Sequence, residues 1–492
     1  MDQISEVIQT NREWLGKLFD RHDELQHIKD LFEAHMKDDH GGSESPRIAT
    51  GHQPVIYYPG LLFKDYFVGE TVKAHGGSAW NLIVDSDEAH LKVPVPYMAK
   101  GELHKTFVQI PNEEKQAFTG FNPSLNDIEG FLQSTADHVA TLPHEGIRKA
   151  FETFQTELIQ CLRADYDLFD TLSLLRNRFD AYLGCSFNEV KVSHLVTSHP
   201  YWQYLWYIIK NIDSYRQAYN QAVAQGKRKN YQPVKFLSQK KDWFELPFWL
   251  EQGGRRLPVM MRRQNGELTF RSEEDGATVT VSTANKSESR IIQDLQDSIV
   301  LYPKATTLTQ IIRLFLSDVF VHGKGAVEYE RINNAFLEDF FGMDSRLAFY
   351  SVTGDIPLPL AEDIPDYREL QETYQQKQKW LSQVDRNPEE YLPDDLAEQY
   401  KRKKKEVAQK MSGTEIPGER KKFHEQLEQL DQEMKKHLTP QIDQVRKELN
   451  RYDALLQKKE VFYERQYPYF LYPAKTLTRE AFADHIQISS HA

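Results

Sequence analysis

Three short segments of this chain place groups capable of acid–base or ionic chemistry at turns beside apolar runs. Gly51-His52-Gln53-Pro54 follows a strand candidate at 47–50 and precedes a helix opened by Pro59-Gly60. Glycine allows close backbone approach, and a helix N-terminus offers unpaired N–H groups to an anion. His52 could donate to a phosphate or carboxylate oxygen or act as a general acid. Asp85, Asp87 and Glu88 close the strand candidate 80–84 and suit a ribose hydroxyl, a cationic amine or a hydrated Mg²⁺. His322-Gly323-Lys324-Gly325, followed by Glu328 and Tyr329, repeats the logic after the apolar run 319–321. Arg313, on a helix whose other face is apolar, suits a carboxylate clamp or a structural ion pair. Each segment also has a plainer reading, as a Gly/Pro turn or an acidic helix cap.

Several chemistries find no support. Neither G-x-G-x-x-G nor G-x-x-x-x-G-K-[ST] occurs, so neither common phosphate fingerprint is present. Ser193, His194, Ser198 and His199 lack a G-x-S-x-G elbow and read as a helix N-cap before the aromatic run 201–206. No HExxH or CxxC marks a zinc site. The only cysteines, Cys161 and Cys185, build no disulfide framework. A net charge of -12 disfavours broad nucleic-acid binding. The absence of a long apolar run disfavours a membrane span. With no basic-then-apolar leader, a cytoplasmic protein is expected.

The elements that must position these groups read as α/β. Residues 1–45 predict leading helices and a polar linker. Residues 46–125 hold strand, loop, helix and strand, a βαβ unit whose ligands belong beyond the carboxyl ends of the strands. Residues 126–297 read as helical, then as a small β patch with an Asn265-Gly266 hairpin signal. Residues 298–360 predict a second strand–loop–helix unit in the same sheet, beginning with a strand at 299–302. On that reading His52 and His322 share one rim with Asp85 nearby, and both imidazoles are cationic when they hold an anion. Gly51 and Gly325 are then both intolerant of a larger side chain. Residues 361–460 carry 20 basic and 22 acidic side chains on a sparse apolar stripe. They predict an antiparallel coiled-coil hairpin turning near 412–417, too thin to form its own core and therefore a dimerisation arm. Residues 461–492 form an aromatic tail expected to pack on the core.

Thr50-Gly51-His52-Gln53, Tyr58-Pro59-Gly60-Leu61, the strand ending in Asp85–Glu88, Tyr302-Pro303 and the 322–329 segment occur in an order that resembles the bacillithiol-synthesis cysteine-adding family (BshC). The resemblance implies a doubly wound, nucleotidyltransferase-like (Rossmann-type) core, a C-terminal coiled coil and a homodimer. It implies a ligase adding cysteine to glucosaminyl-malate, a small anionic substrate, with ATP or ADP as a possible nucleotide. His52, Asp85 and Asp87 then fall to catalysis. Gly51, Gln53, Gly60, Arg313, His322, Gly323, Lys324, Gly325, Glu328 and Tyr329 fall to binding. The chain departs from the family at His52, in the acidic cluster and in the His-Gly-Lys-Gly loop. Two other readings stand beside it: an ATP-dependent ligase or nucleotidyltransferase on another small acid, and a non-catalytic coiled-coil adaptor.

Overall fold

The computed structural model describes residues 2–36, 45–112, 114, 116–164, 167–226, 234–274, 276–361, 364–365, 367–414 and 417–491. Most of the expected polar linker (37–44) and the centre of the expected arm turn (415–416) lie outside the described residues. Two compact units are present, one of Met1–Ile356 with Arg465–Ala492, the other Pro357–Glu464.

The first unit opens with α1 (Asp2–Arg21) and α2 (Asp23–His35), which bury Trp14, Leu18, Phe19, Leu25, Ile28 and Phe32. Next come β1 (Arg47–His52), α3 (Pro59–His75) and β2 (Ser78–Ile83). Ile48, Ala49 and Thr50 are all buried, as a strand covered on both faces requires. A hairpin of β3 (Lys92–Ala99) and β4 (Glu102–Gln109) turns at Lys100 and Gly101, both with positive φ. Helices α4 (Leu125–Ala140), α5 (Glu145–Arg163) and α6 (Leu168–Tyr182) lead to the short β5 (Asn188–Lys191). After α7 (Val192–Leu195), α8 (His199–Lys210) and α9 (Ile212–Gly226) comes a β-rich stretch. It holds β6 (Gln239–Lys240), β7 (Trp243–Gln252), β8 (Arg255–Gln264), β9 (Glu267–Ser272) and β10 (Thr278–Ser282). The expected hairpin turn carries φ of 52° at Asn265 and 72° at Gly266, the geometry that Asn-Gly favours. Helix α10 (Glu288–Ser298), β11 (Leu301–Pro303), α11 (Ala305–Ile311) with a π-helical turn at Ile312–Leu316, β12 (Val319–Gly323), α12 (Val327–Phe341) and β13 (Phe349–Thr353) complete this part.

The main sheet runs β13-β12-β1-β2-β5, all parallel. The C-terminal strand β14 (Gln487–His491) adds antiparallel to β13 at the edge. Numbered by appearance, the five parallel strands lie in the order 3-2-1-4-5, so the direction of sheet growth reverses between β1 and β12. That reversal opens the crevice at which open α/β sheets bind ligands. One expectation is corrected here. The strand at 299–302 begins at Leu301 and pairs antiparallel with β7 in the second sheet, so it does not start a unit of the main sheet. An apolar run alone does not specify which sheet takes it.

In the second unit the charged region forms α13 (Tyr367–Arg386), α14 (Asp394–Ser412), α15 (Pro417–His437) and α16 (Thr439–Gln457), followed by α17 (Lys459–Phe462). Lys377 with Glu448, Lys435 with Asp385 (2.9 Å) and Lys404 with Asp431 (2.9 Å) pair the limbs in opposite directions. Prolines at 388, 393 and 440 break each limb, so four helices replace the two of a simple hairpin. The apolar stripe does close a small core, contrary to expectation: Val384, Leu392, Met434 and Leu438 are buried together. Beyond it, Tyr467, Phe470 and Leu471 are buried in the first unit, and Phe470 stacks on Phe154 at 4.2 Å. Helix α18 (Arg479–His485) and β14 end the chain.

Candidate functional site

The carboxyl ends of β1 and β2 bring three elements to one rim. Gln53, just past β1, donates from Nε2 to Asp87 Oδ2 at 2.7 Å. Asp87 Oδ1 accepts the Glu88 N–H at 2.8 Å and pairs with the Arg256 guanidinium from β8. Arg256 also lies 3.8 Å from Glu88 and stacks over Trp249, 5.2 Å from its centroid. All three ionic side chains keep between 23 and 28% of their surface exposed, so a ligand can reach them. Sequence reasoning missed Arg256. Nothing local marks an arginine on an antiparallel strand as belonging to the rim of another sheet.

Asp85 takes a different role. It accepts the Ser193 N–H at 2.9 Å and its hydroxyl, capping α7, and lies buried at the foot of the rim. Burial raises its pKa, while the Ser193 bonds oppose the rise. A nucleophile or metal role for Ser193 or Asp85 therefore competes with this cap. The expected N-cap before the aromatic run is present, with Ser198 at the N-cap position of α8, although its hydroxyl donates backwards to Leu195 O at 2.6 Å and does not cap the helix. Among the described residues no cluster of three His, Cys, Asp or Glu is arranged to hold a metal ion. The acids suggested for Mg²⁺ are already engaged by Ser193, Gln53 and Arg256.

His52 ends β1 half-buried, its Nδ1 3.3 Å from Gln53 O and its ring edge-on to Tyr57 at 5.7 Å. His322 is buried near the end of the neighbouring β12. The two strand ends adjoin, yet the side chains do not share a pocket. Thr50 pairs with Val321, and side chains alternate along a strand, so His52 and His322 project to opposite faces of the sheet. Nor is either imidazole poised as a cation. Burial, then the positive charge of Lys64, lowers the His52 pKa to about 3. Burial lowers that of His322 to about 4, despite Glu330. The shared cationic rim is thus overturned.

The second loop supplies structure where ligand binding was expected. Arg313 is fully engaged: Nη1 donates to Glu330 Oε2 at 2.6 Å, and Nη2 to Asn334 Oδ1 and Leu347 O at 2.7 Å. It is a buried ion pair and not a substrate clamp. Tyr329 meets His322 edge-on at 6.0 Å, and burial raises its pKa. Glu328 pairs with Arg331 at 3.3 Å. Glu328 and Glu330 occupy the first turn of α12 and already complement its dipole, which removes the electrostatic reason for an anion there. Lys324 and Gly325 are exposed, and Gly323 is half-buried.

The glycines separate in the same way. A Cβ on Gly51 would meet Leu82 Cβ and O at 2.9 Å, so neighbouring β2 excludes a side chain there. Its carbonyl accepts from the buried Lys64 Nζ at 2.8 Å. A Cβ on Gly60 would meet the ring of Tyr58 at 2.7 Å. At Gly323 and Gly325 a Cβ would enter open space. Gly51→Val should therefore destabilise by about 1–3 kcal/mol through overpacking. Gly325→Val should stay within about 0.5 kcal/mol of the parent. Denaturant midpoints check both, and a large loss at Gly325 would restore a role for that loop.

A further polar cluster escaped the sequence reading. Between α3 and α6, Arg176 stacks over Tyr57 (5.3 Å from its centroid) and lies 3.8 Å from both Asp65 and Asp180, while also pairing with Glu189 of β5. Lys64, Asp65, Arg176 and Asp180 are each at most 3% exposed. Asp65 falls among apolar neighbours on α3, Asp180 follows the polar run Arg176–Arg178 on α6, and their approach to one another depends on long-range packing that no local period reveals. A scan against known protein families finds no match for this chain, and a search of curated proteins finds none either.

Proposed function

We propose that the chain is a small-molecule enzyme that binds an anionic substrate at the β1–β2 rim, and that its reaction is a cysteine-adding ligation of the BshC kind on glucosaminyl-malate. The observation that carries the proposal is the Gln53–Asp87–Arg256 network, set beyond the carboxyl ends of two parallel strands and one strand from the reversal of the sheet. Arg256 has the planar, forked donors that recognise a carboxylate, and malate brings two. Asp87 and Glu88 supply the negative charge that a cysteine ammonium needs. Gln53 fixes Asp87 through a hydrogen bond and can follow it when a ligand displaces Arg256. The 3-2-1-4-5 strand order supports a Rossmann-type, nucleotidyltransferase-like core with room for ATP or ADP at the crevice. The roles once given to His322, Arg313 and Lys324 are not part of this reading.

The test is chemical. Incubating the chain with glucosaminyl-malate and cysteine, with and without ATP, should yield a condensed product by mass spectrometry, dependent on both substrates. Adenylate formation from other small acids without cysteine would favour the nucleotidyltransferase reading. No turnover and no binding of any of these molecules would favour a non-catalytic adaptor. Dimerisation belongs to the same proposal. The arm spends its apolar stripe on its own core, so a dimer through it would use its remaining faces. Light scattering on a chain lacking residues 371–450 should show a monomer from a dimeric parent, and a persisting dimer would remove the arm from the interface.

A further inference from the structure

The cluster between α3 and α6 has more acid than base and too few hydrogen bonds. Asp65, Asp180 and Glu189, whose side chain is 23% exposed, all face Arg176, and among the described residues Lys64 is the other cation beside Asp65. Both carboxylate oxygens of Asp180, Oδ2 of Asp65 and Nη1 of Arg176 are buried with no hydrogen-bond partner. Buried polar atoms are normally satisfied, and so many orphans in one place call for a missing component. Asp65 Oδ2 and Asp180 Oδ2 each lie 3.8 Å from the same Arg176 Nη1, so the two carboxylates share one cationic nitrogen, and the charge of Asp65 disfavours ionisation of Asp180.

We propose that Asp65 and Asp180 hold one proton between them at neutral pH, making the α3–α6 contact a neutral, proton-loaded carboxyl pair. One proton leaves two carboxylates, including Glu189, against Arg176 and Lys64, and the local charge sums to zero. Protonation also turns one orphaned acceptor into a donor. Every element packed against the pair contributes to this balance. Lys64 and Asp65 come from α3, Arg176 and Asp180 from α6, and Glu189 from β5. Tyr57 comes from the loop after β1, Tyr469 from the C-terminal segment, and Cys185 from the turn after α6. Burial pushes both Asp carboxyls up and lowers Lys64 to about 8. Tyr57 touches this cluster on one side and His52 on the other, so the proton site abuts the loop that carries Gln53.

Infrared spectroscopy on the full chain tests the pair. At neutral pH the folded protein should show the carbonyl band of a protonated carboxylic acid that shifts on ¹³C-aspartate labelling. Asp180→Asn and Asp65→Asn should each remove that band, because either leaves a single aspartate with Glu189 against Arg176 and Lys64, a balance that needs no extra proton. Asparagine mimics a neutral carboxyl, so both variants should fold, and their melting temperatures should gain on the parent as pH rises. The sign follows from a raised folded pKa, which destabilises the parent progressively above the unfolded Asp value. Absence of the band in the parent, its persistence in both variants, or failure of both variants to fold at neutral pH would each overturn the proposal.

Discussion

Arg313→Ala should cost the fold about 3–5 kcal/mol, the loss expected when one member of a buried ion pair is removed. Glu330 is wholly buried, and its Oε2 takes its shortest bond from Arg313. Without the guanidinium, its charge would have only Asn333 at 3.4 Å and His322 at 3.6 Å. The variant also strips Arg313 from Asn334 Oδ1 and leaves Leu347 O with the Asn334 amide alone, at 3.0 Å, on the approach to β13. Arg313→Met with Glu330→Leu, two apolar replacements of similar volume, should recover much of the loss, since buried pairs add little net stability over a packed apolar pair. Urea midpoints of the single and double variants check this. A near-neutral Arg313→Ala would show that the pair is already relaxed by water.

The pH dependence should be nearly as large. His322 titrates at 6.5 when unfolded and at about 4 when folded. Stability is complete above the unfolded value and falls as acid protonates the unfolded chain while the folded imidazole resists. The fall from 6.5 to about 4 corresponds to about 3 kcal/mol, lost progressively between pH 6.5 and 4. His52, half-buried and also depressed, acts in the same direction. Replacing His322 with Gln keeps a donor near Glu330 and removes the titration. The difference in unfolding free energy between parent and variant should therefore shrink on acidification across that window. A pH-independent difference would mean that His322 reaches solvent.

These two predictions replace a sequence reading in which the same residues served a ligand, and the contrast shows what local pattern can carry. The βαβ unit, the Asn-Gly hairpin and the leading helices are written in short-range periodicity and turn chemistry, and they appear within a few residues of expectation. The polar strands β5 and β14 are not, because Asn188–Lys191 and Gln487–His491 hold almost no apolar residues and owe their place to the neighbours they pair with. The site follows the same rule. Gln53 and Asp87 were legible because both sit at strand ends. Arg256, Asp65 and Asp180 were not, since they arrive from elements distant in sequence. The histidines misled because a glycine-flanked His reads alike whether it faces solvent or a buried glutamate.

Calorimetric titration of glucosaminyl-malate into the parent and into Arg256→Ala tests the central claim, that the β1–β2 rim is the substrate site, most directly. Arg256 is partly exposed and sits on the second sheet, so its loss should leave the fold intact, which circular dichroism would verify. Losing a charged hydrogen-bond partner should weaken binding by about 1.5–3 kcal/mol, or roughly 10- to 150-fold. Equal affinity in the folded variant would place the substrate elsewhere and contradict the account.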